Sequence, residues 1–276
     1  MKGLLDVHTH STHSSDGHAP LSEMVETARE KGLLFYGVSE HFEYGVYVHT
    51  GEIRERKIDA ERYFHDARHL QDDYAGALNV LVGAEFSFDY DKTALKMYAQ
   101  AYEKYRPDYV INSVHCIDDE DYYMFSTQAQ SKFKQPKNVV YKQYLDCVRA
   151  SLDVEYPYDI IGHFGYMTRY APYPDREMRV SEFQTEIDGI FKEIIRRGKI
   201  LEVNSKSKDP VEITVPSREM LERYFELGGR KVSFASDAHD TQSICSRFAE
   251  VTALLKEIGF TYYTVPCRGE HIKVEM

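Results

Sequence analysis

The chain has 276 residues, 42% hydrophobic and 29% charged, which is ordinary globular composition and excludes disordered and collagen-like classes. Its formal net charge of -11 speaks against a nucleic-acid partner, since phosphate-backbone recognition needs clustered Lys and Arg, whereas bound divalent cations would offset the acidity locally. Cys116, Cys147, Cys245 and Cys267 are widely spread with no CxxC pair, the first residues show no apolar signal segment, and no apolar run nears the ~18 residues of a membrane span. A reduced, soluble, cytoplasmic protein is the expectation, with no membrane contact.

The chain opens on a strand-like run, "LLDVHTH" (4–10), and a polar loop, "STHSSDG" (11–17). "PLSEMVETAREKG" (20–32) predicts a helix: Pro stands near its start, Leu21, Met24, Val25 and Ala28 fall at helical spacing, and Gly32 sits at the C′ position. "LLFYGVSEH" (33–41) reads as a second strand, followed by a polar insertion, 42–58, too long for a minimal turn. "DAERYFHDARHLQDDY" (59–74) is a helix with His65 and His69 at i, i+4; no HExxH surrounds them, so a solvated face is expected. "LNVLVGAEF" (78–86), a helix over 91–105 and "DYVINSVH" (108–115) continue the alternation. A second insertion, 118–136, carries the acidic run "DDED" (118–121), and both insertions are read as active-site loops.

Beyond a helix over 137–152, "YDIIGHF" (158–164) is the fifth strand-like run. "VSEFQTEIDGIFKEIIRRG" (180–198) predicts a helix with Ser181 as N-cap, leading to "KILEVNS" (199–205). "PSREMLERYFELGG" (216–229) opens on Pro-Ser and closes on Gly228 and Gly229. "KVSFASDAH" (231–239) is the seventh run, a helix is expected over 243–258, and "FTYYTVPCRGEHIKVEM" (260–276) adds strands at the sheet edge. The strand runs are mostly continuous in Val, Ile, Tyr and Phe, which suits a parallel sheet buried on both faces. Seven strand–helix repeats without linker or low-complexity segment predict an α/β protein in one domain spanning 1–276.

In a parallel barrel the C-terminal ends of the strands meet at one face, where catalytic side chains gather. The residues closing the seven runs are His8 and His10; Glu40 and His41; Glu85; His115; His163; Glu202 and Asn204; and Asp237 and His239. Six of the 12 histidines stand at these ends. His8 and His10 are i, i+2, as are Asp237 and His239, so on a strand each pair faces one way. Imidazole and carboxylate without thiolate is a ligand set for Zn, Fe or Mn in hydrolytic chemistry, and Glu85 has two oxygens with which to bridge two ions. His49 and His271 read as surface, and His13 and His18 as loop residues near the site. Cysteine- and serine-nucleophile hydrolases are disfavoured, because neither a C-x₅-R loop nor a GxSxG elbow occurs.

"DVHTHSTHSSDG", "VSEHFE", "GAEFSF", "NSVHC", "IIGHFG", "LEVN" and "SDAH", in that order, resemble the polymerase and histidinol phosphatase (PHP) superfamily, above all its monofunctional histidinol-phosphate phosphatases. The resemblance spans residues 6 to 239 and implies a distorted (β/α)₇ barrel with three divalent ions at the C-terminal ends of its strands. By motif it places His8, His10, Glu85 and Asp237 on the first ion, and Glu85, His115 and His163 on the second. His41 and His239 would take the third, with Asp16 as loop ligand and His13 as its competitor. The implied reaction is hydrolysis of L-histidinol phosphate, a phosphate monoester, to L-histidinol and phosphate in histidine biosynthesis. Direct in-line attack by a metal-bridging hydroxide fits such a site, with Asp237 or His239 as proton donor to the leaving group. A phosphoesterase acting on nucleotides or other small phosphate esters is the alternative. Arg169, six residues beyond His163, is the first candidate to clamp phosphate, followed by Lys206 and Arg54. The acidic loop could pair with the amine and imidazole of histidinol.

Overall fold

A computed structural model of the chain describes residues 2–46, 53–56, 58–117, 120–121, 135–206 and 213–276. In chain order its elements begin with β1 (Leu4–Asp6), α1 (Leu21–Glu30), β2 (Leu33–Val38), β3 (His41–Val46), β4 (Ile53–Arg56) and α2 (Ala60–Asp73). They continue with β5 (Asn79–Ser87), α3 (Lys92–Tyr105), β6 (Tyr109–Ser113), β7 (Cys116–Ile117), β8 (Glu120–Asp121), α4 (Lys137–Ser151) and β9 (Ile160–Ile161). The last third holds α5 (Gln184–Arg196), β10 (Ile200–Asn204), α6 (Arg218–Glu226), β11 (Val232–Ala235), α7 (Phe248–Ile258), β12 (Tyr262–Cys267) and β13 (Glu270–Glu275).

Seven strands pair in parallel in the order β1–β2–β5–β6–β9–β10–β11. Backbone hydrogen bonds then join the first strand to the last: Val7 N–H to Phe234 O (3.2 Å), Asp237 N–H to His8 O (2.9 Å) and His10 N–H to Ala238 O (2.8 Å). The result is the nearly closed, distorted (β/α)₇ barrel that the family resemblance implies, in agreement with the count of seven runs. Every residue of β6, β10 and β11 is buried, as a sheet covered on both faces requires. Tyr109 fills the barrel interior and donates its hydroxyl to Val7 O across the barrel (2.7 Å). Its ring lies against Gly83 and its hydroxyl against Gly37, where a Cβ would come within 2.4 and 2.3 Å of it. That explains a glycine in two otherwise branched and aromatic strands.

β5 is long for a reason that bears on the site. Its first half pairs with β2, and its second half pairs with β3, which sets His41 opposite Glu85. The segment 42–58, read as a loop, is therefore built in part as an antiparallel β3–β4 hairpin, its backbone bonds satisfied by the strand neighbours. Of the second insertion, 118–136, the described residues show β8 pairing with β7; the remainder of its acidic run lies outside them.

The helices follow the predicted spacing. α1 buries Leu21, Met24, Val25 and Ala28 and stops at Gly32, whose φ is +72°. Ser217 caps α6 through Met220 N–H. Ser181 does not cap α5: it lies in a short 3₁₀ turn, Val180–Glu182, and the helix begins at Gln184. The last helix begins at Phe248 rather than 243, because the preceding turn is tied down. The buried Asp6 carboxylate accepts from Ser236 N–H, Ser236 Oγ–H and Cys245 N–H, and Lys31 Nζ donates to Ile244 O. The C-terminal strands form a separate hairpin, β12–β13, instead of extending the main sheet. No described helix is long and apolar enough to cross a membrane.

Gly83→Ala would drive a methyl into the Tyr109 ring, and overpacking of this kind costs about 1–3 kcal/mol. The expected outcome is a lower chemical-denaturation midpoint with unchanged slope; an unchanged midpoint would show that the barrel interior can yield.

Candidate metal centre

All six strand-end histidines meet Glu85 or one another at the C-terminal mouth of the barrel. Glu85 is fully buried. Its Oε2 lies 2.7 Å from His41 Nδ1, 3.4 Å from His8 Nε2 and 3.6 Å from His10 Nε2. Its Oε1 lies 2.9 Å from His163 Nε2 and 3.2 Å from His115 Nε2, and accepts from Ser113 Oγ–H (2.6 Å). His8 and His10 bring their Nε2 atoms within 3.0 Å, and His115 and His163 theirs within 3.2 Å.

That convergence is what a cation needs. Ligands about 2.05 Å from a tetrahedral ion stand roughly 3.3 Å apart, close to the spacing of these pairs. His10 Nδ1 and His163 Nδ1 are buried with no hydrogen-bond partner, so each ring is held only through its Nε2, the side turned towards the cluster. Sets of donor atoms close enough to share an ion are His8, His10 and Glu85; Glu85, His115 and His163; His10, His41 and His239; and His41, Glu43 and His115. The donor set fits divalent cations held by nitrogen and oxygen.

The third set joins His10 to His41 and His239, an arrangement the motif order does not reveal. Asp16 stands beside it, with Oδ2 3.5 Å from His239 Nε2 and 3.6 Å from His41 Nε2. His13 turns away, pairing with Asp66 on α2 (3.5 Å) and packing near Tyr63. Glu43 went unnoticed in the sequence because it falls in the apparent loop. On β3 it is i+2 from His41, and its Oε1 lies 3.2 Å from His115 Nδ1 and 3.9 Å from His41 Nδ1. Glu40, by contrast, works as a brace: its carboxylate accepts from Ser11 N–H, Ser11 Oγ–H and Ser14 Oγ–H, and so ties down the loop that carries Asp16. His65 and His69 are exposed on α2 and pair only locally, with Asp66 and Asp73. His49 lies outside the described residues, His18 is exposed and His271 bonds Lys231.

A polar rim adjoins the cluster. Asp237 Oδ1 is 3.6 Å from His10 Nε2 and 3.2 Å from Lys206 Nζ, while Oδ2 accepts from Arg169 Nη1 (3.3 Å) and Asn204 Nδ2 (3.3 Å). Arg169 is buried, gives Nη2 to Asn204 Oδ1 and lies over the Tyr166 ring. Lys206 is part exposed and also meets His239 Nδ1 (3.0 Å). Arg54 lies in β4, its side chain outside the described residues.

The electrostatics show how much positive charge the site can carry. Burial alone would raise Glu85, but His8, His115 and His41 hold it well below the usual carboxylate range. Burial would pull His8 down, yet Glu202 and Glu85 keep it well above the usual histidine range. His115, buried but beside Glu85 and Glu43, is pushed up to about 9. His10 goes the other way: burial and the charges of His41, His239 and His8 hold it well below. Burial also lowers His163.

The model of the PHP domain family matches residues 6–206. A probable histidinol-phosphatase of Clostridium acetobutylicum is 28% identical over 245 residues, covering 89% of this chain and 90% of that protein. A second, from Thermotoga maritima, is 25% identical over 95% of each. Among solved structures, the histidinol phosphate phosphatase of Lactococcus lactis, crystallised with zinc, L-histidinol and phosphate, superposes with a TM-score of 0.80 at 24% identity. That match covers 99% of this chain and 100% of the other.

A cation needs the lone pairs that protons occupy, so metal binding to the metal-free protein should release protons below pH 9, where His115 is charged. Titration calorimetry in buffers of different ionisation heat should show net proton release at about pH 7, and affinity rising towards pH 9. Binding with no proton release would contradict this charge assignment.

Proposed function

The chain belongs to the PHP domain family, and from that premise we propose that it is a metal-dependent phosphomonoesterase that hydrolyses L-histidinol phosphate to L-histidinol and phosphate. The observation that carries this reading is the buried Glu85–histidine cluster with the positive charges of Arg169 and Lys206 at its rim: donor atoms suited to cations beside groups suited to phosphate. The names of the relatives supply the substrate.

Divalent ions held by His8, His10, Glu85 and Asp237, by Glu85, His115 and His163, and by His41, His239 and Asp16 would acidify bound water to a pKa of about 7 and neutralise phosphoryl oxygens. Arg169 brings its guanidinium to the phosphate, held by Asn204 and Asp237, and Lys206 adds a charge from the solvent side. His239 Nδ1 lies 2.9 Å from Asp237 O and 3.0 Å from Lys206 Nζ, while its Nε2 faces Asp16 Oδ2, a placement that suits a ligand. Proton transfer then falls to Asp237. Burial would raise Asp237, but Lys206, His8, His239 and Arg169 keep it well below the usual range, so it enters as a carboxylate. As a carboxylate with little hold on a proton, it can only relay the proton lost by the attacking water briefly on its way to the leaving alkoxide. Direct attack by water inverts configuration at a chiral phosphorus; retention would require a phosphoenzyme instead.

Steady-state assays over a panel of phosphate monoesters and diesters should give the highest kcat/KM for L-histidinol phosphate. Activity confined to diesters or to nucleotides would overturn the assignment. Arg169→Ala should lower kcat/KM on the preferred monoester by about 10²–10³-fold, as loss of one charge-stabilising donor does, with Arg169→Lys intermediate.

A further inference from the structure

We propose that Glu202 and Asn204 act as a positioning pair that locks the ring orientation of His8 and couples it to the phosphate-binding guanidinium of Arg169. Glu202 is fully buried and belongs to none of the donor sets that could share an ion. It nonetheless takes three donors. Its Oε2 faces His8 Nδ1 at 2.7 Å, and its Oε1 accepts from His163 N–H (3.1 Å) and Asn204 Nδ2–H (2.8 Å). A carboxylate can only accept, so His8 must carry a proton on Nδ1. In its neutral form His8 therefore presents a bare lone pair on Nε2, the atom 3.4 Å from Glu85 and 3.0 Å from His10 Nε2.

Asn204 extends the chain of contacts. Its amide nitrogen lies between two carboxylates, Glu202 and Asp237 (3.3 Å), which a third carboxylate would repel. Its Oδ1 accepts from Arg169 Nη2 and from Lys206 N–H (2.9 Å). Register explains the division of labour. Glu202 and Asn204 are i, i+2 on β10, so they share one face of the strand, with β9 and β11 on either side. One strand end thus reaches His8 on β1's extension, the His163 backbone beyond β9, and the arginine in the following turn.

The inference rests on the reading that His8 and its neighbours hold cations, and the test separates the two. Zinc or manganese alone is titrated into the metal-free wild type, Glu202→Gln, Glu202→Asp and Asn204→Ala. Glutamine is the closest match in shape, but keeping its oxygen towards His163 N–H and Asn204 aims its NH₂ at His8 Nδ1 and moves the ring proton to Nε2. Glu202→Gln should therefore lose about 10–100-fold in affinity for the most weakened ion, as loss of a ligand-orienting carboxylate does. Glu202→Asp, which keeps the charge, should lose less. Asn204→Ala should keep metal affinity within about threefold, yet weaken inhibition by inorganic phosphate about tenfold, as loss of a group holding an arginine clamp does. Thermal unfolding of the metal-free variants supplies the control.

Glu202→Gln outperforming Glu202→Asp would mean that shape, not charge, matters, and would overturn the proposal. So would wild-type affinity in both Glu202 variants, unchanged phosphate inhibition in Asn204→Ala, or loss of the metal-free fold in both Glu202 variants. A wild type that binds no metal would overturn the cation reading itself, and this inference with it.

Discussion

Glu85 is sealed from water with five imidazoles within 3.6 Å of its carboxylate among the described residues. A buried carboxylate without compensating charge costs several kcal/mol, and each buried imidazolium carries a similar penalty. The cluster therefore needs positive charge at its centre, supplied either by protons on the rings or by cations between them. Protons answer the need only in part: His8 and His115 are held above the usual histidine range, but His10, buried and beside His41, His239 and His8, is pushed well below it. Cations answer it better, since each ion is shared by several donors while the rings stay neutral.

The rest of the fold can be read as what holds this cluster open. Parallel strands deliver His8, His10, His163 and Asp237 to the same rim, and the seam between β1 and β11 sets the Asp237 amide against the His8 carbonyl. The turn from β2 into β3 gives β5 a second partner at its mouth end, and this sets His41 opposite Glu85. Residues outside the donor sets carry the alignment: Glu40 fixes the opening loop, Ser113 bonds Glu85, and Glu202 bonds His8. Tyr109 packs over Gly83 and Gly37 of the neighbouring β5 and β2 and reaches Val7 O, tying β6 to the start of the barrel below the site.

Much of this was legible in the sequence because two periodicities coincide. Strand runs ending in His, Glu or Asp predict a polar rim once the strands are parallel, and i, i+2 spacing predicts which residues share a face. The parallel sheet and its rim of six strand-end histidines follow from that, and the distorted barrel was implied by the family resemblance. Glu43 was hidden because β3 owes its strand to pairing with β5, a long-range contact with no local signal in a polar, apparently loop-like segment. The late start of α7 escaped for a similar reason: Asp6, far away in sequence, holds the turn before it. The choice between His13 and Asp16 at the rim could not be made from spacing. It depends on the loop path, which turns His13 towards Asp66 and Asp16 towards His41 and His239. Ser181 had the chemistry of a cap, but the chain makes a 3₁₀ turn there before the helix begins.

The account stands or falls on whether Glu85 organises cations. The direct measurement is the metal content of purified wild type and Glu85→Gln by elemental analysis, with circular dichroism to establish that both are folded. The account predicts more than one divalent ion per folded wild-type chain and a loss of most of that metal in Glu85→Gln. A folded wild type that turns over phosphate monoesters while holding less than one ion per chain would contradict it.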